Sequence, residues 1–194
     1  KLRGKTLAMI FEKASTRTRV SFEVAMHELG GAAITLEGAT TQMGRGETYS
    51  DTARVLGRYV HGIMIRTFGH PQAEELARDS KVPVINGLTD LYHPCQILAD
   101  FLTIFEKRGT LRGLNLTYLG DGNNIAHSLM EGGARVGMNV TIACPMEYEP
   151  NPNIVKMAKA DAEKNNFAGH VAPKIIVSND PKKAVADADI LYTD

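Results

Sequence analysis

The sequence predicts an α/β fold of two consecutive domains, each a parallel sheet flanked by helices, joined by a long helix. Three observations predict it. Short apolar runs alternate with segments of helical period along the whole chain, as parallel strands with crossover helices require. The chain also restarts once: "LRGKTLAMIF" at residues 2–11 is echoed by "LRGLNLTYLG" at residues 111–120, each passing from Leu-Arg-Gly into an apolar strand. Between them "HPCQILADFLTIFEKRG" has the length and apolar face of a long helix. The first domain is therefore expected over residues 1–108, with the bridging helix at about 93–108, and the second over 109–194.

Each element has a local reason. "TLAMIF" is a buried strand that feeds a helix from about Arg17 to Leu29, with Phe22, Ala25, Met26 and Leu29 as its apolar stripe and Gly30-Gly31 as its stop. "GAAITLE" is a second strand and "TTQMGRGE" a polar loop. "SDTARVLGRY" is a helix with Ser50 or Asp51 as N-cap. Strands "HGIMIRT" and "VPVIN" flank a short helix near residues 71–78. The long helix starts at Pro94, carries Ile97, Leu98, Phe101, Leu102 and Phe105 on one face, and ends at Gly109. Beyond it come strand 116–119, helix 124–136, strand 140–143, helix 154–165, strand 174–177, short helix 181–186 and strand 190–192. In such sheets ligands sit beyond the carboxyl ends of the strands.

Composition narrows the function. Lys plus Arg equals Asp plus Glu, 22 against 22, so no global field draws nucleic acid or an anionic membrane, and an anion site must be local. No run is apolar and long enough to span a membrane. The two cysteines, Cys95 and Cys144, make neither a disulfide framework nor a zinc ligand set, and suit a reducing compartment. His27, His61, His70, His127 and His170 are scattered without metal-ligand spacing, so neither metal nor organic cofactor is expected. The chain opens on a strand and closes just after one, so both ends are expected to continue in a longer protein. These residues alone would then turn over little substrate.

The densest chemistry is Ser15-Thr16-Arg17-Thr18-Arg19, at the end of the first strand and the start of a helix. Free backbone N–H groups and the helix dipole make that place an anion site before side chains are counted. Hydroxyls add donors, and a guanidinium can grip a phosphate with two parallel bonds. A helix cap would need one hydroxyl, so a phosphate is the expected ligand.

"FEKASTRTRVSFE" resembles the carbamoyl-phosphate signature of the carbamoyltransferases. "TTQMGRGE", "DTARVLGRYVHGIMIRT", "VPVINGLTDLYHPCQILADF" and "GDGNNIAHS" resemble the same family in the same order, so the resemblance covers essentially the whole chain. It implies transfer of a carbamoyl group from carbamoyl phosphate to an amine, with ornithine the acceptor that the wording fits best, as a step of arginine biosynthesis. By resemblance Ser15, Thr16, Arg17 and Thr18 hold the phosphate. Arg66 and His93, with Thr18, point at the carbonyl oxygen, and Gln96 accepts from the carbamoyl NH₂. Cys95 of "HPCQ" takes a backbone or packing role in the same site, since an amine attacking directly needs no covalent intermediate. Gln42 is implied to reach the site of a neighbouring subunit in a homotrimer or a multiple of trimers. Asn124 and Asp194 are implied to hold ornithine, and Asp121 to order the loop beside them. A cytoplasmic location follows, or a mitochondrial matrix in a eukaryote.

Two other readings stay open on residues alone. A sister enzyme would carbamoylate aspartate, N-acetylornithine or putrescine. A nucleotide-dependent oxidoreductase is a remote alternative, since "GDGNNI" starts like a dinucleotide fingerprint; Ile125 replaces its third glycine, and no acidic residue ends the next strand.

Overall fold

The computed structural model describes residues 1–164 and 171–194, and forms two compact units, Lys1–Leu91 and Tyr92–Asp194. Asn165, the expected end of one helix, and His170 lie outside the described residues.

In the first unit the elements are β1 (Thr6–Phe11), α1 (Thr16–Glu28), β2 (Ala32–Glu37), two 3-10 turns (Gly38–Thr40 and Gln42–Arg45), α2 (Tyr49–Leu56), β3 (Gly62–Arg66), α3 (His70–Asp79) and β4 (Val84–Leu88). The strands form a parallel sheet in the order β2-β1-β3-β4. Alternation along β1 sends Ala8 and Ile10 to one face, where Ile63, Ile65, Ala53, Ala73 and Leu76 join them. It sends Leu7, Met9 and Phe11 to the other, against Met64 and Met26. Both faces are buried, which is why β1 and β3 read as unbroken apolar runs.

Three local readings are corrected here. The N-cap of α2 is Thr48, whose Oγ1 accepts from the Asp51 N–H at 3.0 Å. Ser50 lies inside the first turn, its N–H donating to Glu75 at 3.1 Å. Strand β4 starts at Val84 because Pro83 has no N–H to give the ladder, and only its carbonyl is used, by Ile63. Of the expected α1 stripe, Met26 and the half-buried Phe22 pack on the sheet, while Ala25 and Leu29 are exposed.

The second unit holds α4 (Pro94–Arg108), β5 (Asn115–Leu119), α5 (Asn124–Val136), β6 (Asn139–Ala143), α6 (Pro152–Lys164), β7 (Ile175–Ser178), α7 (Pro181–Val185) and β8 (Ile190–Tyr192). Its parallel sheet runs β7-β6-β5-β8. Each unit thus places its first strand inside the sheet, with later strands added on both sides, which makes a switch point beside that strand. Helix α4, expected as the bridging helix, packs within this compact unit. Ile97 and Phe101 are buried, and a Cβ on Gly132 of α5 would stand 2.8 Å from the Phe101 ring, so a bare glycine backbone admits the helix. Leu98, Leu102 and Phe105, expected on the apolar face, are exposed. Gly109 ends α4 in the left-handed region, its N–H bonded to the Phe105 carbonyl at 2.7 Å.

Among the described residues no helix is long and apolar enough to cross a membrane.

Candidate active site

Each unit carries its polar cluster at its own switch point. In the first, strands β1 and β3 lie side by side with Phe11 opposite Arg66. The chain leaving β1 is strapped to β3: the N–H groups of Glu12 and Lys13 donate to the Arg66 carbonyl at 2.9 and 3.4 Å. The Glu12 carboxylate accepts from the Tyr49 hydroxyl at 2.7 Å and from the Thr67 hydroxyl. That strap sets where α1 begins. Ser15 is its N-cap, in extended backbone, with Oγ accepting from the Thr18 N–H at 3.2 Å. The same Oγ donates to Thr18 Oγ1 at 3.0 Å, and Arg66 Nη1 reaches that oxygen at 3.5 Å.

Arg66 owes its aim to a β-bulge. The β3–β4 register slips after Ile65, which pairs with Asn86 while Arg66 pairs with Leu88. Its Nε is buried with no hydrogen-bond partner among the described residues, and burial pulls the guanidinium below its ordinary pKa.

The two arginines of the signature separate in space. Arg19 is occupied, with Nε 3.1 Å from Glu23 and Nη1 3.7 Å from Glu37. Arg17 is exposed, and among the described residues no carboxylate pairs with it. A cleft of about 470 Å³ opens on the β2 side of the loop, lined by Ser15, Thr16 and Arg19 but also by Glu12 and Glu37. One cation against two carboxylates makes a poor anion pocket, whereas Ser15, Thr18 and Arg66 meet on the β3 side. Gln42 is exposed on the second 3-10 turn, not in an irregular loop, and is not hydrogen-bonded to Ser15, Thr18 or Arg66.

In the second unit the starts of α4 and α5 are tied together. The His93 N–H donates to Ser128 Oγ at 2.8 Å, and that hydroxyl donates to the Asn124 carbonyl at 2.7 Å. His93 thereby occupies the N-cap position of α4, just before Pro94. Cys95 is half-buried, and burial pushes its thiol up, which disfavours the nucleophilic thiolate. The full-length Cys95→Ala protein should therefore keep kcat within about threefold, and neither Cys95 nor buried Cys144, also pushed up, should react quickly with iodoacetamide at pH 7. Fast labelling coupled to inactivation would contradict this.

Asn123 joins the site although its sequence context did not single it out. Its Oδ1 caps α5 by accepting from the Ile125 and Ala126 N–H groups at 2.9 and 3.2 Å. Its Nδ2 donates to Asp194 Oδ2 at 3.4 Å, so Asp194, two residues beyond β8, comes beside the N-cap of α5. Doubled asparagines before an apolar helix were the available signal, the first of them placed to cap it. Asp121 contributes through its backbone carbonyl, which accepts from the Asn123 N–H at 2.8 Å. The loop is held instead by the Gly122 N–H, which donates to the Tyr148 carbonyl at 2.7 Å. A Cβ on Gly122 would stand 2.1 Å from the Pro150 nitrogen. Backbone cannot yield that far, so Gly122→Ala should cost about 3 kcal/mol in urea denaturation and displace Asn123. Wild-type stability would show that the loop is free to move.

Among the described residues no group of three or more His, Cys, Asp or Glu side chains could hold a metal ion. His127 accepts from the Asn151 N–H through Nε2 at 3.0 Å.

Residues 1–106 match the family model described as the carbamoyl-phosphate binding domain of aspartate/ornithine carbamoyltransferase, and residues 112–194 match its Asp/Orn binding domain. The chain belongs to the aspartate/ornithine carbamoyltransferase family. The chain is 58% identical over 193 residues to the ornithine carbamoyltransferase of Anoxybacillus flavithermus, covering 100% of the chain and 60% of that relative. It is 55% identical to that of Bacillus thuringiensis subsp. konkukian, covering 59% of it. The solved ornithine carbamoyltransferase of Pyrococcus furiosus superposes with a TM-score of 0.91 at 53% identity, covering 99% of this chain and 59% of that one. The chain thus spans about three fifths of the length of these relatives.

Proposed function

We propose that the full-length protein transfers the carbamoyl group of carbamoyl phosphate to the side-chain amine of L-ornithine, releasing L-citrulline and phosphate as a step of arginine biosynthesis. The observation that carries this reading is the set Ser15, Thr18 and Arg66, hydrogen-bonded at a switch point beside Arg17, which no carboxylate engages among the described residues.

The chemistry follows from the residues. Arg17, the hydroxyls of Ser15, Thr16 and Thr18, and the first N–H groups of α1 suit the phosphate. The neutral ornithine amine attacks the carbonyl carbon, and the C=O oxygen gains charge as the tetrahedral intermediate forms. Arg66, His93 and Thr18 are assigned to that oxygen, each donor worth roughly 3 kcal/mol in the transition state. The C–O bond to phosphate then breaks, phosphate leaves, and the amine loses its proton. Gln96 accepts from the carbamoyl NH₂, and Cys95 packs beside it without bonding covalently. Asn124 and Asp194 take the amino-acid end of ornithine, with Asn123 holding the aspartate. A carboxylate beside an amide suits an ammonium, which favours ornithine over a dicarboxylic acceptor.

The reading includes a homotrimer, or a multiple of trimers, in which Gln42 serves a neighbouring subunit, and a cytoplasmic location. Its basis is family membership.

The decisive assay offers carbamoyl phosphate with ornithine, aspartate, N-acetylornithine or putrescine in parallel to the full-length protein. Citrulline should form with ornithine at a kcat/KM at least a hundredfold above the rest. Preference for another acceptor would overturn the assignment of ornithine. Absence of phosphate release with all four would overturn the reaction class.

A further inference from the structure

We infer that Asp100 is a positioning residue that fixes which end of the Gln96 amide meets the substrate. Asp100 lies one turn along α4 from Gln96, and its Oδ1 accepts from Gln96 Nε2 at 3.1 Å. A carboxylate only accepts, so the amide nitrogen must turn toward it, and Oε1 is left as the outward-facing acceptor. An acceptor is what a carbamoyl NH₂ requires; an amide flipped end for end would present N–H to N–H.

One exposed bond within a helix would hold the amide weakly, but Asp100 is itself held. Its Oδ2 accepts from the Tyr192 hydroxyl at 2.8 Å, across 92 positions of sequence. Tyr192 is the last residue of β8, paired in register with Tyr118 of β5, and the two ring centroids lie 5.9 Å apart with the planes tilted by 35°. The carboxylate therefore has both oxygens committed, one to the sheet and one to Gln96. The same tyrosine lies two residues before Asp194. Asp100 thus ties the residue assigned to the carbamoyl NH₂ to the strand that carries the residue assigned to ornithine. This inference rests on carbamoyl phosphate being the donor.

Acetyl phosphate tests it, because a methyl group replaces the NH₂ at nearly the same size and donates nothing. In the full-length protein Asp100→Ala should raise the KM for carbamoyl phosphate about tenfold, equivalent to about 1.4 kcal/mol, while the Ki of acetyl phosphate as competitor stays within about twofold. Asp100→Asn keeps an acceptor for Nε2 and should restore most of the selectivity. In a Gln96→Ala background Asp100→Ala should change the ratio no further, an outcome that a merely structural role would not produce. If Asp100→Ala fails to fold, Tyr192→Phe reads the same ratio, with a loss of about threefold expected from freeing one carboxylate oxygen. An unchanged ratio in Asp100→Ala, or in Tyr192→Phe where it stands in, overturns the inference while leaving the carbamoyl transfer intact. A wild-type protein that makes no citrulline overturns the function itself.

Discussion

Arg17→Ala in the full-length protein is expected to lower kcat/KM for carbamoyl phosphate by 10²- to 10⁴-fold, on the order of 3–6 kcal/mol for two charge-assisted bonds to phosphate. Thermal stability should not move, because Arg17 is exposed and among the described residues pairs with no carboxylate. Arg19→Ala is the built-in control. That guanidinium spends itself on Glu23 and Glu37, so its loss should affect turnover by less than about tenfold. Steady-state kinetics with a thermal melt on both variants checks the pair. Equal losses from the two arginines would move the phosphate to the β2 side of the loop.

Arg66→Met should lower kcat by 10²- to 10³-fold while the melting temperature holds or rises. The loss of rate follows from the role proposed for Arg66, since a donor on the carbonyl oxygen matters only as charge develops there. The unchanged or higher melting temperature follows from its surroundings. Arg66 has a buried Nε without a partner among the described residues, and burial works against its charge. An apolar side chain of similar length removes that desolvation cost. Active sites often keep such groups at the expense of stability. A fall of several degrees in the melt with little change in kcat would make Arg66 a structural residue instead.

Both arginines illustrate how far the sequence could be read. Alternating apolar runs marked the strands and helices, because a strand buried on both faces has its own composition and a helix its own period. Errors fell at boundaries, where one non-local bond decides: Glu75 drew the Ser50 N–H into the first turn of α2, leaving Thr48 to cap. The long helix was legible, but not what its Phe101 packs on, since that depends on the bare backbone at Gly132 of α5.

Local sequence was enough to place a strand, a donor-rich turn and a helix N-terminus in succession around Ser15–Arg19, and to make a phosphate the expected ligand there. Those features are encoded within a few residues by capping and dipole. Folding in three dimensions selected which donors can act together in each unit. Thr18 and Arg66 are 48 positions apart, Asn123 and Asp194 71, and Asp100 and Tyr192 92. Strand order and the crossovers bring each pair together, and nothing in the local sequence of either partner records the other. Arg17 and Arg19, two positions apart, are separated by both kinds of contact: Glu23 lies one turn along the helix from Arg19, and Glu37, on a neighbouring strand, comes within reach of the same guanidinium.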